Sequence, residues 1–453
     1  MEVDERNVYR KRLDDDPPAF LDRVNTPWDV VPDLEEYNEH AFSRIHRTLR
    51  ELARRDSGQP EGNSRGILIL GEAGTGKTHL LMRVARNLSQ TNHILFVRKP
   101  NNEEAVAQHI WKNIVDSLSR KLSTEAGARS QLDDMLAHIF SKVLLPGFRE
   151  DIAQGIDVET RQRWIDRLEA DPYQLFEMLG DGERRSDNLD RIRRRTLRFL
   201  RTEHPDANQE IAHVLITYCL VSREEHKRLL LNWLGGSEIE ESEAKSLGLT
   251  PGWFPIDETS TDAAVSQQRE ELALRAIQTV GILATYYHPL ILTFDQLEGL
   301  RNQTPLTHRW GDVVREIFTM APNYLIVTCI FPSLWETWFR AELDQSAAER
   351  IAQQTIELER FKPAYGARML ARHLEASVLR HNLPTNIYPF TVADIEQLCQ
   401  QATSPRSFLQ GARGAFERWL DGESSSSQPL ALTEQDILAT EDVERVLRER
   451  LDG

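Results

Sequence analysis

The sequence predicts an α/β fold: a three-layer core around a parallel sheet, a large helical insertion, and a C-terminal helical lid. Three observations carry this. The runs "RGILIL", "HILFVRKP", "PLILTF" and "NYLIVTCIF" are short and rich in Ile, Leu and Val, as strands covered on both faces are. Between the first two lies "THLLMRVARNLS", with Leu80, Leu81, Val84 and Leu88 at helical spacing. Such a β–α–β unit implies parallel strands and helices packed on the sheet. Elsewhere the apolar spacing is mostly helical.

The 453 residues suffice for roughly two to four domains. A hydrophobic content of 40% fills a real core, and 28% charged residues break the apolar runs, which reads as soluble, helix-rich and globular. "GILIL" and "PLILTF" fall far short of a membrane span. "MEVDERNVYRKRLDDDPP" has no apolar core of a secretory signal. Cys219, Cys329 and Cys399 lie far apart without metal-ligand spacing, so neither a disulfide framework nor a zinc site is expected. A cytoplasmic location follows as an expectation. The net charge of −16 confines any nucleic-acid contact to a local patch.

After the first strand comes Gly71-x-x-x-x-Gly76-Lys77-Thr78, opening the helix that follows. That context makes it a phosphate loop and the core a P-loop NTPase core. Gly71, Gly74 and Gly76 let backbone N–H groups turn inward around a β-phosphate. Lys77 supplies a mobile charge for the β- and γ-phosphates, and Thr78 a hydroxyl for Mg²⁺. The helix adds its positive dipole end. Gly71, Glu72, Ala73, Gly74, Thr75, Gly76, Lys77, Thr78 and His79 form the candidate set for ATP. The plain alternative is a chance glycine-rich turn, which the strand and helix on either side argue against.

"HPLILTFDQLEGL" is the second anchor. An acid at the tip of a buried strand, Asp295, is suited to the Mg²⁺ shell, and Glu298 to orienting the attacking water. Solvated acids at a strand end are the bland reading. Thr328, in the next strand, is either a γ-phosphate sensor or an ordinary β-branched strand residue.

The chain between these anchors is longer than a minimal core needs. "QLDDMLAHIFSKVL", "RQRWIDRLEA", "LDRIRRRTLRFLRTE", "IAHVLITYCLV" and "REEHKRLLLNWLGG" all show helical spacing. Turn clusters "GDGERRSD" and "GLTPGW" punctuate them, with no fixed repeat. Past Thr328, "TIELERF" suits a short strand, and "YGARMLARHLEASVLR" and "TVADIEQLCQQA" suit helices. Ser404 as N-cap with Pro405 at the first helical position opens another, placing Arg406 at its start and Arg413 two turns on. "DGESSSSQPL" reads as a linker and "EDVERVLRERL" as a terminal helix. The expected organisation is an N-terminal extension and helix over 1–60, ATPase core over 61–122, helical insertion over 123–270, core again over 271–345, lid over 346–423, and linker with terminal helix over 424–453.

The densest basic run spans Arg184, Arg185, Arg191, Arg193, Arg194, Arg195, Arg198 and Arg201. On a helix, Arg191, Arg194, Arg195 and Arg198 share one face, which either meets DNA phosphates or is a solvated face paired with nearby acids. No helix-turn-helix, zinc or RNP-type signature accompanies it.

The order of phosphate loop, long gap, hydrophobic-Asp-x-x-Glu, sensor strand and helical lid resembles the AAA+/STAND ATPases on their initiator-like side. "GKTHLL" resembles the loop of bacterial replication initiators and loaders. "TSPRSFL" is similar to the sensor-2 helix of origin-recognition-type and transposition-regulator ATPases, which implies that Arg406 reaches the γ-phosphate. "FDQLEGL" is similar to an Asp-Gln-x-Glu variant of STAND-like and phage-defence ATPases. "LLLNWLGGSEIEESEAKSLGL" resembles a Trp-Leu-x-Gly segment of ATPases in BREX-type defence islands. The resemblance covers roughly residues 60–122 and 275–420. It also implies a homo-oligomer acting through an arginine finger. Arg340 and Arg350 lie in the right window without a motif that fixes either, and both also suit solvated helix positions.

The leading expectation is an Mg-ATP-hydrolysing switch or remodeller acting on DNA with partner proteins, in genome defence or mobile-element control. The alternative is a signalling or scaffold module held by nucleotide with little turnover. A small-substrate kinase is weaker, since such proteins are usually shorter and lack so large a lid. No Ser/His/Asp or Cys/His constellation competes, and in-line attack by water needs none.

Overall fold

Five strands make one sheet: β1 (Arg65–Leu70), β2 (Ile94–Arg98), β3 (Leu290–Asp295), β4 (Tyr324–Ile330) and β5 (Gln354–Glu357). Their order is β2-β3-β4-β1-β5. β2 and β4 each pair in parallel with β3, in a register that sets Arg98 opposite Asp295 and Thr328 opposite Phe294. Every residue of β3 and β4 is buried, which explains their unbroken apolar runs. β5 is short and only partly buried, as an edge strand is.

The computed structural model describes residues 20–54, 64–89, 91–125, 127–175, 182–221, 223–253, 262–376 and 386–422. The first part of the expected N-terminal extension, and the linker and terminal helix expected over 424–453, lie outside these. Helix α1 (Glu39–Ala53) precedes the sheet, α2 (Lys77–Leu88) follows β1, and α3 (Val106–Leu118) follows β2. Then come α4 (Gln131–Ala153), α5 (Val158–Ala170), α6 (Gly182–Glu203), α7 (Gln209–Leu220), α8 (Glu224–Leu234), α9 (Glu241–Leu247) and α10 (Asp262–Ala284). α11 (Thr304–Met320) joins β3 to β4, and α12 (Gln345–Ile351) precedes β5. α13 (Pro363–Glu375), α14 (Val392–Gln401) and α15 (Pro405–Asp421) follow. The chain is thus a mixed α/β fold around a parallel sheet, with helices before, within and after it.

Two compact units make up the molecule. The first combines the chain up to Arg44, Ile69–Arg86, and the chain from Ile356. Its core joins Phe20, Leu34 and Tyr37 from the N-terminal side to Leu370, Leu374, Phe390, Phe408 and Phe416 of the last three helices and their connections. α14 and α15 both begin with capping boxes, at Thr391 and Ser404, so the start expected at Ser404-Pro405 is formed.

The second unit, Ile45–Leu68 and Asn87–Thr355, holds α3 to α12. Gln131 ties α4 to the sheet, its amide taking the N–H of Ile94 at 3.2 Å and giving to Ser117 O at 2.7 Å. Trp111, Trp233 and Trp253 are buried, and each indole N–H finds a backbone carbonyl: Leu234 at 2.6 Å, Thr250 at 2.9 Å and Trp233 at 2.7 Å. The Trp-Leu-x-Gly segment of α8 therefore has a packing role. Below α3, Asp134 of α4 accepts from His93 (3.1 Å), Tyr287 (2.6 Å) and Tyr173. Burial opposes the charge on Asp134, yet these hydrogen bonds outweigh it and hold the carboxyl well below the usual range.

Candidate nucleotide site

In the first unit the ladder of β1 runs out at Leu70, whose carbonyl accepts from Leu358 N at 2.8 Å. The chain then turns through Gly71–Gly76 into α2, where Lys77 is the first helical residue. Gly74 (φ +78°) and Gly76 (φ +97°) occupy the left-handed region, which side chains rarely tolerate. Thr75 closes the turn on Glu72 O through its N–H (3.3 Å) and its hydroxyl (2.8 Å). Lys77 Nζ donates to Gly71 O at 2.7 Å and Glu72 O at 3.2 Å, so its ammonium lies along the loop. Thr78 is half-buried in the first turn of α2.

A Cβ on Gly74 would lie 2.8 Å from both Arg406 Cβ and Ser404 Oγ. The loop is therefore met at its tip by the N-terminus of α15, and a side chain at Gly74 has no room. Arg406 Nε donates to Asp22 O at 3.4 Å. Loop, helix dipole, Lys77 and a lid arginine are together in this unit, and these residues fit a polyphosphate.

The sequence reading missed the segment that braces the loop, residues 20–38. Arg83 of α2, 2% exposed, makes a two-pronged bond to Asp33 (2.6 and 2.8 Å) and donates to the carbonyls of Leu34, Glu35 and Tyr37. The available signal was Arg83 itself, three residues after Leu80 and hence on the apolar face of α2, where a charge needs a buried partner. His79 serves the same brace. Its ring contacts Pro32 O at 3.1 Å and Asp33 at 3.5 Å, so the side chain is engaged away from the loop's glycines. Burial pushes its pKa down, against the pull of Asp33. Asn38 completes the segment, donating to Thr75 O at 3.2 Å.

In the second unit Asp295 ends β3 at 1% exposure, its Oδ1 accepting from Gln296 N at 2.9 Å. Gln296 has φ +61°, a strained turn for a residue with a side chain, and delivers the chain into a single 3₁₀ turn, Leu297–Leu300. Half-buried Glu298 sits on that turn, and the Lys99 side chain lies against Gly299 beside it. On β4, Thr328 is 1% exposed and its hydroxyl has no hydrogen-bond partner among the described residues, an uncommon state for a buried polar group. Strand pairing thus brings Asp295 and Thr328 onto neighbouring strands.

Arg340 follows a π-helical turn, Trp335–Phe339, and pairs with Glu336 at 3.1 Å on the surface. Arg350 lies in the last turn of α12 and lines a cleft of about 310 Å³ with Arg315, Glu316, Thr319, Met320 and Ser346. On α6, Arg191, Arg194 and Arg198 are exposed, but Arg195 is not part of that face. It turns onto α4, pairing with Asp151 at 2.7 Å and lying over the Phe148 ring. The face expected from helical spacing loses that residue because a half-buried acid and an aromatic ring on α4 compete for it. The side chains of Arg184 and Arg185 lie outside the described residues.

No helix among the described residues is long and apolar enough to cross a membrane. No curated protein matches the chain. A family model described as the AAA ATPase domain matches residues 39–307, more than half of the chain and a span that includes the phosphate loop, Asp295 and Glu298. The chain belongs to the AAA ATPase domain family, as a P-loop ATPase.

Proposed function

We propose that this ATPase binds Mg-ATP at the Gly71–Thr78 loop and hydrolyses it to drive a conformational switch, acting on DNA together with partner proteins in genome defence or mobile-element control. The observation that supports nucleotide binding most directly is the loop itself: two glycines in left-handed conformation, the α2 N-terminus behind them, and the start of α15 against Gly74. Lys77 would hold the β- and γ-phosphates, and Thr78 with Asp295 would supply hard oxygen ligands to Mg²⁺. The bound ion would neutralise charge on the transferring phosphoryl group. Glu298 would orient the attacking water, while Thr328 and Arg406 would register the γ-phosphate. In a homo-oligomer, Arg340 or Arg350 would serve a neighbouring subunit's nucleotide. The initiator-like character and the likeness to BREX-type ATPases rest on the sequence motifs.

DNA contact would use Arg191, Arg194 and Arg198, exposed along α6 of a chain whose overall charge is −16. The deciding experiment is steady-state ATPase of the full chain with and without double-stranded DNA, with Lys77→Ala as the blank. Turnover stimulated by DNA, and lost from an Arg194→Glu/Arg198→Glu variant, is expected. Negligible turnover in both conditions with nucleotide still bound would instead make the protein a nucleotide-held signalling or scaffold module.

A further inference from the structure

We infer that Asn38 is a positioning residue for the phosphate loop: it holds the Thr75 carbonyl outward and thereby aims the Gly76 N–H at the bound phosphate. The inference rests on the nucleotide reading above and goes beyond it, because Asn38 precedes the matched span 39–307 and belongs to no motif of the sequence.

Asn38 is 3% exposed, and both ends of its amide are in use. Nδ2 donates to Thr75 O at 3.2 Å, and Oδ1 accepts from Glu359 N at 2.8 Å. Nδ2 also lies 3.7 Å from where a Cβ on Gly76 would stand. In a trans peptide the C=O and the next N–H point in opposite directions. Fixing Thr75 O towards Asn38 therefore fixes Gly76 N–H away from it, into the concave side of the loop. Gly76, at φ +97°, has no side chain to set this orientation for itself. An external donor does so, and a prealigned N–H costs less ordering when an anion arrives.

The residue type is narrowly determined. Asn38 has φ +59°, a conformation Asn tolerates better than most residues with a side chain. It must offer one donor and one acceptor from the same short side chain, which an amide does and a carboxylate does not. Glu359 lies two residues past β5, and its N–H and C=O are both taken by adjacent residues of the brace, Asn38 and Tyr37 (2.8 Å). The loop is thus tied through one side chain to the segment that leads into α13.

The test uses the full chain with Asn38→Asp, which keeps the acceptor and loses the donor, and Asn38→Gly, which keeps the backbone conformation and loses both. Tyr37→Phe, which removes a tether to Glu359 without touching the loop, is the control. Equilibrium binding of ADP and steady-state kinetics with Mg-ATP are measured. Both Asn38 variants are expected to weaken ADP binding roughly tenfold, the scale of one oriented hydrogen bond to a charged group. KM should rise while kcat at saturation stays within about threefold, since the bond serves ground state and transition state alike. Unchanged ADP affinity in both variants, with Lys77→Ala inactive, overturns the inference and leaves the nucleotide reading intact. A loss of binding that Tyr37→Phe reproduces, with matching falls in Tm, also overturns it, as general loosening of the brace. Wild-type protein that binds no ADP removes the nucleotide reading and this inference together.

Discussion

The two regions proposed to form the nucleotide site, the phosphate loop and the acidic end of β3, are held by opposite means. The phosphate loop and the helix it opens are held by polar contacts over long sequence distances: Arg83 on Asp33 and three carbonyls, and Asn38 on Thr75. The acidic end of β3 is held by the sheet, in which β3 and its neighbour β4 are buried at every position. A loop that offers backbone N–H groups to an anion cannot spend them all on its own turns, so beyond the contact of Thr75 with Glu72 O its support comes from outside. A carboxylate at a strand tip inherits its position from the ladder, and only the turn after it, at Gln296, is strained. Disturbing the first region should therefore loosen binding, and disturbing the second should alter turnover.

The largest expected effect tests the second half of that contrast. Glu298→Gln should leave nucleotide affinity near wild type and lower turnover by about 100-fold or more, as removal of a group that orients or activates water does. Turnover within a fewfold of wild type would mean that Glu298 is an ordinary residue of the 3₁₀ turn.

Breaking the brace comes next. Arg83→Ala leaves Asp33, whose side chain is 1% exposed, without its main counter-charge, although His79 and Arg86 remain within 3.5 Å. Loss of one member of a buried pair costs about 3–5 kcal/mol, and the remaining partners should reduce that. Urea unfolding would read it, with loss of ADP binding in parallel. A stability change under about 0.5 kcal/mol, the range of ordinary surface substitutions, would show that the brace is not what holds the loop.

Asp134→Asn probes the second unit at a carboxylate outside the proposed site. Because the folded carboxyl titrates below its unfolded value, its stabilisation is fully present above about pH 4 and fades as pH falls through the lowered range. The variant should thus be less stable than wild type at neutral pH, with the gap closing in acid. A gap that is constant with pH would assign the loss to packing rather than charge.

Gln296→Gly carries the smallest expected effect, a gain of up to about 1 kcal/mol in stability from relief of the left-handed backbone, offset by a looser unfolded chain. Turnover should change little. A large loss of turnover would show that the Gln296 side chain is itself needed beside Asp295.

Several features were legible without a structure. β1 to β4 sit where the apolar runs are, the phosphate loop lies between strand and helix, and Ser404-Pro405 opens α15 with its side chain on Ser407 N. Each is a local rule: burial on two faces, glycine at a left-handed turn, a cap on free N–H groups. The brace was not legible, because Asp33 and Arg83 carry no spacing that links them. The face of α6 was legible only in part. Helical periodicity placed Arg195 beside Arg191 and Arg194, but Asp151 and Phe148 on another helix decide where its guanidinium lies.

Periodicity and loop chemistry, which act over a few residues, were enough to identify a P-loop α/β protein with Lys77, Thr78 and Asp295 at the positions where strands end and a helix begins. Which side chains hold the loop, which arginines of α6 stay exposed, and that the start of α15 meets Gly74 are properties of the folded chain. Those depend on pairings between residues that are distant in the chain, and each is settled by burial: a charge or an amide taken out of water must find its partner wherever the fold supplies one.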